Sequence, residues 1–282
     1  MSIPFSLCTV EAAGRPVACM ERDGRYFRLP KDLMTLLAEG TALEELAAGD
    51  EVKAARVLTP LQYPGKVLCA GANYYDHIKE MGVPDLRKEA QRLFFFFKPP
   101  RNAVVGPGAT VTMPRGTKKY DWEIELAAVI GKTARYVSVE NALSHIAGYT
   151  VAIDLSARDF NQAPDQFYKF DWVAGKATDT ACPMGPWIVP AEALGDVQSV
   201  ALKLSVNGVV KQDSSTSQMI YSVAEQIARA SELMTLDPGD VVLTGTPAGV
   251  GVPRGTFLSP GDKIDAEIAG IGKLSVEIKP PL

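Results

Sequence analysis

Three acids stand at alternate positions in Tyr120-Asp121-Trp122-Glu123-Ile124-Glu125-Leu126-Ala127-Ala128-Val129-Ile130. The alternation is that of a strand. It puts Asp121, Glu123 and Glu125 on one face and Trp122, Ile124 and Leu126 on the other. Like charges so spaced repel one another, and burying them unpaired is costly. A divalent cation is the simplest compensation, and an all-carboxylate donor set suits a hard metal, Mg²⁺ or Mn²⁺. The alternative is an edge strand with a solvated acidic face.

A second cluster lies upstream. In Gly71-Ala72-Asn73-Tyr74-Tyr75-Asp76-His77-Ile78-Lys79-Glu80 a short apolar run ends in Gly and Asn and opens a polar helical turn. His77 and Glu80 then share a helix face, close enough to hydrogen-bond. A carboxylate that fixes an imidazole tautomer makes a general base; the plainer reading is an exposed helical ion pair. Asp154 ends an apolar run, where an acid serves equally as a helix N-cap. Lys98 ends a run of four phenylalanines, and Lys176 follows Gly175 on a loop. Either lysine fits a site or solvent.

These residues need a scaffold, and the patterning predicts one that is α+β and mainly β. Short strands are expected near residues 5–10, 16–20, 66–70, 120–130, 148–154, 200–207, 209–212, 241–243, 262–268 and 273–278, with Gly- and Pro-rich turns between them. Helical periodicity is expected over residues 33–48 and 219–233, and charge composition suggests further helix over 83–92. Residues 60–64 read as a seam between a small α+β unit, residues 1–60, and a larger one, residues 61–282.

Composition excludes several classes. A net charge of −4 with no basic run argues against nucleic acid. No apolar stretch is long enough for a membrane span, and no basic region followed by an apolar run opens the chain. The four cysteines show no metal-type spacing, which suits free thiols in a reducing cytoplasm. The loop after Leu243 lacks the Gly-Lys-Ser/Thr ending of a phosphate-binding loop, so nucleotide binding is rejected.

Taken together, Gly71-x-Asn73-Tyr74-x-Asp76-His77-x-x-Glu80-Met81, Phe97-Lys98-Pro99, Glu123-x-Glu125, Asp154-x-x-x-Arg158-Asp159, Lys176, Asn207-Gly208 and Leu243-Thr244-Gly245-Thr246-Pro247-x-Gly249-Val250-Gly251 keep one order along the chain. In that order they resemble the fumarylacetoacetate hydrolase superfamily, in particular its acylpyruvase-like and dienedioate-isomerase-like bacterial members. The resemblance implies the superfamily's mixed β-roll catalytic domain behind a small N-terminal domain, and a homodimer. It implies Mg²⁺ or Mn²⁺ on Glu123, Glu125 and Asp154. It implies catalytic roles for His77, Glu80 and Lys176, and substrate contacts at Tyr74, Lys98, Arg158 and Thr246.

The activity it implies first is metal-dependent C–C hydrolysis of an acylpyruvate-type oxo acid, with decarboxylation or keto–enol isomerisation as the runner-up. A non-catalytic binding protein is a distant third, since such a protein needs no His77–Glu80 base. Three departures stand out. Ala72 sits where some acylpyruvases carry Arg, and Asn161-Gln162 stand where many relatives place Gln. The Glu80-to-Lys98 segment is long and rich in Phe, which suggests a bulkier substrate, such as a product of aromatic ring cleavage.

Overall fold

The computed structural model of the protein describes residues 5–282. One long mixed sheet runs through the molecule. Its strands lie in the order Glu51–Val52, Arg25–Arg28, Arg15–Arg22, Ser6–Ala12, Cys182–Pro190, Ile146–Ile153, Ile124–Ile130, Val241–Leu243, Val67–Gly71 and Phe94–Lys98. A five-stranded sheet faces part of it: Val209–Ser215, Ala201–Val206, Lys263–Ile268, Gly272–Lys279 and Thr110–Thr112. A two-residue ladder joins Tyr120–Asp121 to Ser156–Ala157. Strands dominate and helices are short, as the sequence predicts.

The central strand Ile124–Ile130 is buried throughout. Its alternation divides two cores. Ile124, Leu126, Ala128 and Ile130 enter the core shared with Leu202, Leu204, Ile264 and Leu274 of the smaller sheet. Ala127 and Val129 enter the core on the other face, with Leu7, Met184 and Leu243. Glu125 shares the face of Ala127 and Val129, so it stands where a core residue would otherwise be. The first strand, Ser6–Ala12, pairs with Cys182–Pro190 through Leu7 and Ile188, which ties the N-terminal strands into the same sheet.

Three helical expectations are corrected. Only Leu33–Ala38 of residues 33–48 is α-helical. Gly40, at φ +70°, donates to Leu37 O and ends the helix, and Leu43–Glu45 is a single 3-10 turn. Residues 83–92 hold one 3-10 turn, Lys88–Ala90, rather than a helix; Lys88 reaches Glu225 of another helix instead of a neighbour in its own segment. The C-terminal helix is Val223–Leu233, shorter than its apolar period, because Ser222 and Glu225 form a capping box at its start. No helix among the described residues is long and apolar enough to cross a membrane.

Candidate active site

Glu123, Glu125 and Asp154 converge: one carboxylate oxygen from each lies within 4.8 Å of the others, and all three residues are buried. The strand turns aside at Trp122–Glu123, between the ladder of Asp121 and that of Ile124. Asp121 therefore leaves the face it shares with the other two acids in an ideal strand. It accepts hydrogen bonds from Gly251 N at 2.7 Å and Arg158 Nε at 3.0 Å. Asp154, on the neighbouring strand's exit, takes its place in the cluster, and its amide donates to Glu123 O at 2.8 Å.

The compensating charge is uneven. Lys176 Nζ bonds both Glu123 Oε2 at 2.9 Å and Asp154 Oδ2 at 2.6 Å. Arg158 pairs with Glu123 as well as Asp121. Burial would raise the Glu123 carboxyl, but Arg158, Lys176 and His77 outweigh it and hold the group at about 2. Glu125 has no ion-pair partner among the described residues and accepts only Gly245 N at 2.6 Å. Burial, and then Asp154 and Glu123, push its carboxyl well above the usual range.

Lys98 lies beneath the cluster, wholly buried. Its ammonium donates to Leu155 O, Lys176 O and Ala181 O at 2.9, 2.6 and 2.9 Å. Those three bonds use every N–H it has. Asp154 Oδ1, only 2.7 Å away, thus receives its charge but no hydrogen bond, and is left as an orphaned buried oxygen. An orphaned carboxylate oxygen beside an unpaired, protonation-prone Glu125 fits a hard cation, which would take oxygen from all three acids.

A cavity of about 330 Å³ opens from the triad. A larger hollow of about 450 Å³, between residues 40–44 and 191–197, contains no triad residue. His77 lines the smaller cavity. Its Nδ1 lies 2.9 Å from Glu80 Oε1, and Gly249 N donates to both Glu80 oxygens, at 3.0 and 2.9 Å. Gly249 is required there: its φ is +112°, and a Cβ would lie 2.1 Å from Lys211 O. The helix Tyr75–Glu80 is fixed further by Asp76, which accepts from Ser214 Oγ at 2.6 Å.

Of the residues expected in the site, His77, Glu123, Glu125, Asp154, Arg158, Lys176 and Thr246 line this cavity, and Glu80 backs His77. Thr246 Oγ1 donates to Ile124 O at 2.8 Å, so its hydroxyl hydrogen already serves the strand that carries Glu125. Tyr74 and Lys98 do not line the cavity, which corrects their reading as substrate contacts. Tyr74 is buried and bridges to Met219 through its backbone. Lys98 lies outside the cavity, with its Nζ 2.7 Å from Asp154 Oδ1.

Two features were missed. Gln212 accepts from Ile124 N at 3.0 Å and donates to Thr246 Oγ1 at 2.8 Å, which secures the strand beside Glu123. Nothing at position 212 in the sequence distinguishes it from a surface glutamine. The other is an aromatic wall. Trp172 stacks on Phe96 and Phe170, with centroids 5.1 and 5.9 Å apart, and meets Phe94 at 5.4 Å. A strand's period of two puts Phe94 and Phe96 on one face, but nothing in the sequence brings Phe170 and Trp172 to them.

The fumarylacetoacetate hydrolase C-terminal domain family matches residues 66–279. The chain belongs to this family. It is 42% identical over 217 residues to a mitochondrial oxaloacetate tautomerase of Bos taurus, covering 76% of this chain and 67% of that one. Among solved structures it resembles the 2-hydroxyhepta-2,4-diene-1,7-dioate isomerase of Mycobacterium marinum, with a TM-score of 0.79, 30% identity and 98% of each chain covered. It also resembles the fumarylpyruvate hydrolase of Pseudomonas aeruginosa in complex with Mn²⁺ and pyruvate, with a TM-score of 0.69, 35% identity, and coverage of 80% of this chain and 93% of that one. Tautomerase, isomerase and hydrolase thus share this family fold.

Proposed function

We propose that the protein is a divalent-metal-dependent enzyme that interconverts the keto and enol forms of a 2-oxo acid. The observation that carries this reading is one proton-carrying group, His77, set across a small cavity from a buried triad of carboxylates. The triad is suited to Mg²⁺ or Mn²⁺. A cation held by Glu123, Glu125 and Asp154 would supply Lewis acidity to the bound oxo acid.

The chain's own residues then do the following. Glu80, clamped by Gly249 N, accepts the Nδ1 proton of His77 and fixes the tautomer in which Nε2 is the base. His77 takes the proton from the carbon beside the carbonyl, the C–H electron pair passes to the carbonyl oxygen, and that oxygen takes a proton from solvent to give the enol; the reverse reaction returns both protons. Lys176, held cationic with its pKa pushed up to about 12, sits against Glu123 and Asp154: burial would lower it, but Asp154 and Glu123 raise it further. It therefore keeps a fixed positive charge beside the developing oxyanion. Arg158 keeps Glu123 ionised in the same way.

A second reading is C–C hydrolysis, favoured by the likeness to the Pseudomonas aeruginosa hydrolase. In it His77 takes its proton from water instead of carbon. A product assay separates the two. The enol form of a 2-oxo acid is followed by ultraviolet absorbance and by proton NMR, with Mg²⁺ or Mn²⁺ and with EDTA. Metal-dependent loss of enol with the carbon skeleton intact supports the tautomerase. Two fragments support the hydrolase, and carbon dioxide release supports decarboxylation.

A further inference from the structure

The cavity has two chemically different ends. Among the described residues its basic lining groups are His77, Arg158 and Lys176, and all three are engaged at the carboxylate end. Lys176 is paired with Glu123 and Asp154, Arg158 with Asp121 and Glu123, and His77 with Glu80. The other end is walled mainly by Ile78, Met81, Phe94, Phe170, Trp172 and Val252, with the neutral amide of Gln162, whose backbone bridges to Phe170, beside them.

Basic side chains adjacent in sequence to this wall are turned away. Lys169 Nζ donates to Pro164 O at 2.7 Å, and Arg254 Nη1 donates to Gly249 O at 2.7 Å. Lys79 is exposed, and the 100° spacing of a helix sets it on the far side from His77 and Met81. A second carboxylate at the mouth would lose hydration and gain no cation, only a neutral amide, Gln162, which does not replace a paired charge. A planar apolar group would meet the stacked rings instead.

The two ends are coupled by one short helix. Trp172–Lys176 is capped by Asp171, whose side chain accepts from Ala174 N at 2.9 Å. Trp172 and Lys176 are four positions apart, so they share a face. The wall is backed by close contact: Phe94 lies over Gly71, where a Cβ would come within 2.0 Å of its ring.

We infer that the substrate is a 2-oxo acid with a single carboxylate and a planar apolar or aryl tail, not a dicarboxylic oxo acid. The inference rests on the proposed reading of the triad end as the oxo-acid head. It narrows that reading, since the bovine relative is named for a dicarboxylic acid.

The test uses two inert ligands with one head, N-benzyloxamate and N-oxalylglycine, titrated calorimetrically into the Mn²⁺-loaded full chain. N-benzyloxamate is expected to bind about tenfold or more tighter, from burial of its ring. Phe170→Ala, at a half-exposed position, should weaken N-benzyloxamate several-fold and leave N-oxalylglycine unchanged. Phe94→Arg should reverse the preference. Equal binding, or tighter N-oxalylglycine, overturns the tail assignment while leaving the head intact. Binding of neither, with Mn²⁺ bound, overturns the head reading and the tail assignment with it.

Discussion

Lys98 Nζ lies 2.7 Å from Asp154 Oδ1 yet spends its three N–H groups on the carbonyls of Leu155, Lys176 and Ala181. It is a charge placed under the triad, and a clamp on the strand exit that carries Asp154. Both partners are buried, so solvent screens the pair little. Lys98→Met leaves Asp154 with Lys176 alone and takes a donor from three buried carbonyls, and should destabilise the fold by about 3–5 kcal/mol. Urea unfolding with both midpoint and slope measured checks this. A loss below 1 kcal/mol, as for a surface ion pair, would count against the clamp.

Metal should stabilise the folded chain. Bound only by the native state, Mn²⁺ at about a hundred times its dissociation constant adds roughly 2.7 kcal/mol. The melting temperature should rise with Mn²⁺ or Mg²⁺ and return on addition of EDTA. Glu125→Gln removes one charge and one strong donor, and should abolish the rise. A full shift in that variant would mean that the cation binds elsewhere.

Removing the base should separate catalysis from binding. His77→Ala is expected to lower kcat by about 10²–10⁴, with the metal-induced thermal shift unchanged. Glu80→Gln keeps a hydrogen bond to His77 but not the carboxylate, and should lose less. Gly249→Ala should behave as a positioning defect. It forces a residue with a Cβ to φ +112° and moves the amide that holds Glu80. Lowered kcat with retained metal binding is the expected signature, measured by steady-state kinetics beside calorimetry.

Acid should loosen the segment after His77 before it unfolds the sheets. Lys88 Nζ meets Glu225 Oε1 at 2.5 Å, and Tyr221 OH donates to Gln91 O at 2.7 Å. Burial would raise the Glu225 carboxyl, but Lys88 and the Ser222 capping bonds outweigh it and lower it. A depressed folded pKa gives stability that is present above the unfolded value, about 4.3, and is lost as pH falls through the folded value. The pair is partly exposed, so its worth is under about 1 kcal/mol. Hydrogen exchange of residues 82–92 should therefore speed up below about pH 4, and Glu225→Gln should give the faster exchange already at neutral pH. Exchange unchanged in that variant would show the clasp to be idle.

Much of the site was legible because its chemistry is local in sequence. Glu123 and Glu125 declare themselves by alternation, and His77 and Glu80 by helical spacing. Asp154 was ambiguous until the whole ordered set of motifs was considered, since a strand-end acid is usually a cap. Lys98 and Tyr74 were placed in the right region but do not line the cavity, because residue type does not reveal which way a buried side chain at a strand end or helix start is turned. The aromatic wall was hidden for a different reason. Phe94 and Phe96 lie far in sequence from Phe170 and Trp172, and only tertiary packing stacks them. The over-long helix at residues 33–48 reflects a lasting weakness of periodicity: apolar spacing continued past Gly40, but the backbone did not.

The most direct test of the central claim is enol–keto conversion of an aryl-substituted 2-oxo acid, followed by ultraviolet absorbance and by NMR in deuterated water. It should be run with Mn²⁺, with EDTA, and with His77→Ala. The account predicts rapid, metal-dependent enol loss with deuterium entering only the carbon beside the carbonyl, and near-background rates in the other two samples. Enol loss that proceeds equally in EDTA, or that survives in His77→Ala at the wild-type rate, would contradict it.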